Sequence, residues 1–138
     1  MQNLFIFYDK LKEKLITVKT EVKPSSIGGL GLFASEFIPK GTLVWKNHTD
    51  SELIMSREQF ELLSDYMKGV CRIHAYVDKK TNQWKLPLDN SKFFNHSYNP
   101  NTFQDEDGNS VALTDINLNE EITVNYTDYD GGEGDFTF

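Results

Sequence analysis

The sequence predicts a mostly β domain with some α, an α+β class, on three observations. Short runs of β-branched and aromatic residues recur along the chain, separated by turns rich in Gly, Pro and Asn. One stretch, residues 51–66, reads as the main helix. No internal repeat, linker or low-complexity block interrupts the pattern. A length of 138 residues suits one compact domain, and 38% hydrophobic residues is too many for disorder. A chain this long also folds without disulfides or a structural metal.

Residues 1–14 fit a short strand and a helical turn equally well. In residues 15–22, Ile16, Val18, Thr20 and Val22 share one face, the alternation of a half-buried strand. Pro24-Ser25-Ser26 breaks it, and Gly28, Gly29 and Gly31 follow. Leu32-Phe33-Ala34 resumes an apolar run, and Pro39-Lys40-Gly41 turns the chain into a strand at 42–45. Within 51–66, Ser56 and Gln59 make a capping box, Phe60, Leu63 and Met67 follow at helical spacing, and Gly69 is the expected stop. Residues 72–77 and 83–88 read as strands joined by a polar turn. Residues 103–104 and 111–113 flank Asp105-Glu106-Asp107-Gly108-Asn109, a hairpin signature. Residues 121–126 alternate as a last strand.

Charge and cysteine content exclude several classes. There are 14 basic against 21 acidic side chains, net −7, whereas nucleic-acid binding needs a basic surface. An acidic surface serves solubility and also suits a cationic, lysine-rich partner. The lone Cys71 forms no internal disulfide, and zinc clusters need several thiolates or imidazoles at short spacing, so no metal is expected. The apolar run at 4–8 is too short to span a membrane and has the wrong flanks for a secretory signal. An intracellular, reducing compartment is the expected one.

Three segments carry chemistry. Gly28-Gly29-Leu30-Gly31-Leu32-Phe33 allows close backbone approach to a ligand, although it is neither a Walker loop nor a dinucleotide fingerprint, and a plain glycine turn explains it as well. Lys92-Phe93-Phe94 leads into Asn95-His96-Ser97-Tyr98-Asn99-Pro100-Asn101, a polar run that also reads as a self-bonded turn. Glu120-Glu121-Ile122-Thr123-Val124-Asn125-Tyr126 alone is an amphipathic edge strand.

Taken in this order, GGLGLFA, KFFNHSYNPN and EEITVNY resemble the three hallmark motifs of SET-domain protein lysine methyltransferases, over residues 16–129. The resemblance makes 1–15 an N-terminal extension and 130–138 a short tail. It implies several small curved β-sheets and a C-terminal pseudoknot that brings Tyr126 beside Asn95 and His96. It also implies S-adenosyl-L-methionine as cofactor, S-adenosyl-L-homocysteine as product, and a target lysine entering a channel from the opposite face.

Matched by position, Gly29, Leu30 and Gly31 would cradle the cofactor, and Asn95 and His96 would contact its amino group and adenine. Tyr126 falls on the catalytic tyrosine. Lys92 stands where the family usually has Arg, and would meet the cofactor carboxylate as a point charge without the bidentate fork. Tyr98 replaces a Cys of the family pattern, and the cysteine-rich C-terminal extension is absent from the sequence. Phe136 and Phe138 are candidates to cover the adenine in its stead, or to end a frayed tail. A tyrosine that the family often carries after the first motif falls here near Asn47. The channel is therefore expected to draw on Tyr66, Tyr76, Phe94, Phe103 and Tyr129, each of which also serves in ordinary core packing.

Methyl transfer from a sulfonium asks mainly for positioning and electrostatics. Only a neutral amine has the lone pair, and with a reference pKa near 10.4 roughly one lysine in a thousand is neutral near pH 7.4. A desolvated channel favours the neutral form. Tyr126 would orient the amine, proton loss to water being the simplest route. His48 and His74 read as isolated surface or core residues, and the acidic turns lack the spacing of a calcium loop.

The expected activity is methyl transfer to a lysine ε-amine in a basic protein or tail, such as a histone's. The alternative is a non-catalytic SET-like module that binds a peptide. By analogy with small viral and bacterial members, selectivity would come from a homodimer or from the target's own sequence. No direct nucleic-acid or membrane partner is expected.

Overall fold

The computed structural model describes residues 16–129. They form ten short strands in four small sheets. Strand β1 (Thr20–Pro24) pairs antiparallel with β2 (Leu30–Ala34), which puts Val22 opposite Leu32. A second sheet joins β3 (Leu43–Trp45), β9 (Ser110–Ala112) and β8 (Thr102–Gln104) in that order. A third has β6 (Gln83–Pro87) between β4 (Glu52–Met55) and β5 (Tyr76–Asp78). The fourth is a parallel pair, β7 (Asn95–His96) with β10 (Thr123–Val124).

The hairpin expected around Gly108 is β8–β9. The Asp105 carboxylate accepts from the backbone N–H of Asp107 at 3.0 Å and of Asn109 at 2.8 Å, and Gly108 sits at φ +82°. That turn consumes an acidic side chain that might be mistaken for a cation ligand.

Two expectations shift. The strand expected from residue 15 starts at Thr20, and Ile16 makes only an isolated bridge to Trp45. The expected long helix is divided. Its first residues are β4, because they pair with β6 from Glu52–Pro87 to Met55–Trp84. The capping box is real: Ser56 Oγ accepts from Gln59 N–H and the Gln59 side chain accepts from Ser56 N–H. It opens only the short helix α1 (Arg57–Glu61). Ser64 then caps a second helix, α2 (Asp65–His74), which runs through Gly69 and includes residues 72–74, read from sequence as strand. Glycine in a helix costs only about 1 kcal/mol against Ala, which tertiary packing of Cys71 and Ala75 readily outweighs.

Two cores form. The larger is built on Leu32, Ile38, Val44, Ile116 and Ile122, all essentially inaccessible, with Trp45, Phe94 and Val124. Burying each such aliphatic side chain stabilises the fold by about 1.5–3 kcal/mol. The smaller packs Met55, Cys71, Ala75 and Val77 with Phe60 stacked on Trp84 at 4.2 Å. Residues 121–124 are gripped on both edges. β7 pairs with them on one side, and on the other Asn101 Oδ1 accepts from Thr123 N–H at 2.9 Å while its Nδ2 donates to the Glu121 carbonyl at 2.8 Å. This crossing carries the C-terminal segment back to the middle of the chain.

Candidate active site

The first half of the site is a cup at the start of β2. Gly29 adopts φ +54°, a conformation that an L side chain rarely takes, and Leu30 beside it is 48% exposed. Gly31 has a different reason to be glycine. A Cβ there would overlap the Glu121 carboxylate and lie 3.0 Å from Asn95 Nδ2. Asn95 Nδ2 donates to the Leu30 carbonyl at 3.0 Å and to Glu121 Oε1 at 2.7 Å, and Ser25 Oγ donates to Glu121 Oε2 at 2.8 Å. Two pure acceptors on one side fix the amide's orientation, so Asn95 Oδ1 is turned away from both as an acceptor for an outside donor.

The second half is anchored to the same strand. Tyr126 lies 31 positions after Asn95 in sequence. Its backbone N–H donates to His96 Nδ1 at 3.1 Å, and its hydroxyl donates to the Phe94 carbonyl at 2.6 Å. Burial lowers the His96 pKa, which keeps the imidazole neutral, as acceptance at Nδ1 requires. The phenol is thus held at both ends by the residues flanking Asn95. Tyr98, which replaces a Cys of the family pattern, stands edge-on to His96 at 4.3 Å.

Tyr126 opens onto a cavity of about 70 Å³ where the two cores meet, lined by Trp45, Phe94 and Val124 from one and Ala75 from the other. Tyr76 and Tyr129 line it too, packed edge to face at 4.9 Å, with Tyr129 in turn 6.1 Å from Tyr126. Glu52, at 7% exposure, also faces this space, and the Tyr76 hydroxyl donates to its Oε1 at 2.6 Å. Burial raises the pKa of both partners. The chamber is small and largely aromatic, with a tyrosine hydroxyl at one wall and a carboxylate at another. Such a space suits an unbranched alkyl chain ending in an amine.

The structure gathers most of the expected residues. Gly29, Leu30, Gly31 and Asn95 form the cup, and His96 links it to Tyr126. Lys92, Tyr76, Phe94, Tyr126 and Tyr129 line the cavity. Tyr66 and Phe103 do not. Tyr66 is 79% exposed on the first turn of α2, because the helix buries Cys71, and five residues place Tyr66 about 140° around the axis from it. Phe103 is 41% exposed because side chains alternate along β8, so it is Gln104 that lines the cavity. Phe136 and Phe138 lie outside the described residues. Sequence reasoning missed Glu52, Gln104 and His74, which line the cavity, and Glu121 and Ser25, which support the cup. No spacing in the chain announces Glu52. Glu121, inside the third motif, could have been found by asking why an acid precedes an apolar strand.

A glycine cup joined through one short parallel strand pair to a tyrosine-walled cavity is the arrangement of a SET-type protein. The SET-domain pattern matches residues 29–127, and the chain belongs to the SET-domain family. Its fold is similar to that of a Plasmodium falciparum protein named as a histone methyltransferase, at 24% identity and TM-score 0.54, covering 80% of this chain and 95% of that one. It is also similar to part of the Chaetomium thermophilum Polycomb Repressive Complex 2, both as a humanized mutant bound to the inhibitor GSK126 (TM-score 0.58) and as an apo form mutated in Ezh2 (TM-score 0.61). Each of these two comparisons has 19% identity and covers 83% of this chain but 16% of the other. Among curated proteins no sequence matches.

Proposed function

We propose that the protein is an S-adenosylmethionine-dependent protein-lysine N-methyltransferase acting on a basic protein or tail, such as a histone's, inside the cell. The observation that carries this reading is Tyr126, bonded through its backbone to His96 and through its hydroxyl to the Phe94 carbonyl, the two neighbours of the cup residue Asn95, while it also lines the aromatic cavity.

The donor set fits the cofactor. Asn95 Oδ1 would accept from its amino group and the Gly29–Gly31 backbone would lie against its methionine part, while Lys92, which lines the cavity, would reach its carboxylate from that side. When bound, S-adenosylmethionine supplies a methyl group already activated on a sulfonium. The chain's own residues do the rest. Tyr76, Tyr129 and Phe94 exclude water around the lysine stem, and desolvation disfavours the ammonium. The Tyr126 hydroxyl, its proton engaged by the Phe94 carbonyl, keeps its lone pairs available to hold the amine in line.

Incubating the protein with core histones and methyl-labelled S-adenosylmethionine, followed by mass spectrometry, tests the reading. One or more modified lysines are expected. Binding of S-adenosylhomocysteine without any transfer to histones would move the assignment to another protein substrate. Absence of binding would leave a peptide-binding module.

A further inference from the structure

The cavity beside Tyr126 contains a group that the reading above does not use. Glu52 begins β4 and is more than nine-tenths buried. One carboxylate oxygen accepts from the Tyr76 hydroxyl, and the other makes no hydrogen bond or ion pair among the described residues. The residue is buried as a whole, yet this second oxygen is not a sealed atom and so opens onto the cavity, where it can accept from an entering donor. The nearby cation Lys85 is already engaged, with its Nζ 2.9 Å from Asp78 Oδ2.

Among the described residues, the titratable groups facing Glu52 are few. They are Tyr76 and Asp78 from β5, Lys85 from β6, and Asp89 and Lys92 from the turn at 89–93, with His74, Tyr126 and Tyr129 around the same cavity. Burial, helped by Asp78 and Asp89, pushes the Glu52 pKa up, against the pull of Tyr76 and Lys85. Burial pushes the Tyr76 phenol up as well, and Glu52 adds to it, so the phenol stays protonated and donating. When the pair carries a charge, it therefore resides on the carboxylate.

We propose that Glu52 is the counter-ion that receives the substrate lysine's ammonium in the cavity and takes its proton before methyl transfer. The proposal rests on the methyltransferase reading and adds to it a proton acceptor within the channel. The step balances simply. One N–H bond of the ammonium breaks, its electron pair stays on nitrogen as the lone pair needed for transfer, and the proton forms an O–H bond with the Glu52 carboxylate. The proton leaves to water after the methylated product departs. An ammonium entering this space gains an ion pair with a carboxylate whose one hydrogen-bond donor among the described residues is neutral, so the cavity selects amines over isosteric alkyl chains.

Glu52→Gln keeps an acceptor for the Tyr76 hydroxyl and removes the charge. With core histones at saturating S-adenosylmethionine, the native protein should show a rate that is flat at neutral pH and falls on the acid side as Glu52 is protonated. Glu52→Gln should be slower at pH 7 and rise about tenfold per pH unit toward the lysine's own pKa. Tyr76→Phe removes a hydrogen bond that lowers the Glu52 pKa, so the acid limb should move to higher pH. The binding arm uses n-butylammonium chloride against sodium chloride on the S-adenosylhomocysteine complex. The native protein should be raised in melting temperature by the amine, and Glu52→Gln should not. Equal pH profiles or equal amine responses in native protein and Glu52→Gln would overturn the proposal. If no histone is methylated, the functional reading fails separately, and the n-butylammonium measurement still decides the role of Glu52.

Discussion

The cup around Gly31 and the cavity around Tyr126 share β7 but are built in opposite ways. In the cup the side chains hold one another: the Glu121 carboxylate accepts from Ser25 and Asn95, and the Asn95 amide bridges to Leu30. The result is a pre-set surface made of backbone and small side chains, with one amide oxygen turned outward. In the cavity the walls are aromatic, a carboxylate bonded to one phenol keeps its other oxygen open to the space, and burial moves pKa values. The first arrangement suits recognition of a fixed ligand. The second suits a change of charge, because in a desolvated space small electrostatic differences weigh heavily. Substitutions in the cup should therefore act on cofactor affinity, and those in the cavity on the rate of transfer.

The sharpest division comes from Tyr126→Phe. It should lower single-turnover transfer by about 10²–10³, the order lost with one positioned polar group in an active site, while calorimetry gives an almost unchanged affinity for S-adenosylhomocysteine. A variant that transfers normally would end the proposed role. Gly31→Ala is the converse. The added Cβ drives into the Glu121 carboxylate and crowds Asn95, at about 1–3 kcal/mol of overpacking, so melting temperature should drop and cofactor binding should weaken more than tenfold.

Asn95→Ala should weaken S-adenosylhomocysteine binding by about tenfold to a hundredfold, since a hydrogen bond to a charged group contributes about 1.5–3 kcal/mol. It should leave the stabilising response to n-butylammonium intact. An unaltered dissociation constant would detach Asn95 from the cup's function. The smallest effect is expected from Lys92→Arg. Restoring the bidentate fork should tighten cofactor binding a few-fold, visible in the dissociation constant and not in the rate at saturation. A change in rate alone would instead assign Lys92 to the cavity it lines.

Much of this was legible in the chain because it is written locally. The Ser56/Gln59 capping box, the Asp105–Asn109 turn and the strand at β6 depend on neighbours a few residues apart. The family motifs are local as well, and they led to the cup and to Tyr126. The misjudged parts depend on distant pairing. Residues 52–55 have helix-compatible composition but find β6, and the tetrapeptide has no way to register that partner in its own order. Tyr66 and Phe103 are aromatics placed by helix phase and strand alternation, both of which follow from which neighbour is buried.

By itself the sequence determined the family, the α+β class and the identity of the residues at the cup, because short motifs prescribe backbone geometry and hydrogen-bonding groups directly. Only the tertiary structure decided that Glu121 is why residue 31 must lack a side chain, and that Glu52 shares a chamber with Tyr126. Both follow from contacts between segments far apart in the chain, where steric overlap and desolvation act on whichever atoms the fold brings within a few ångströms.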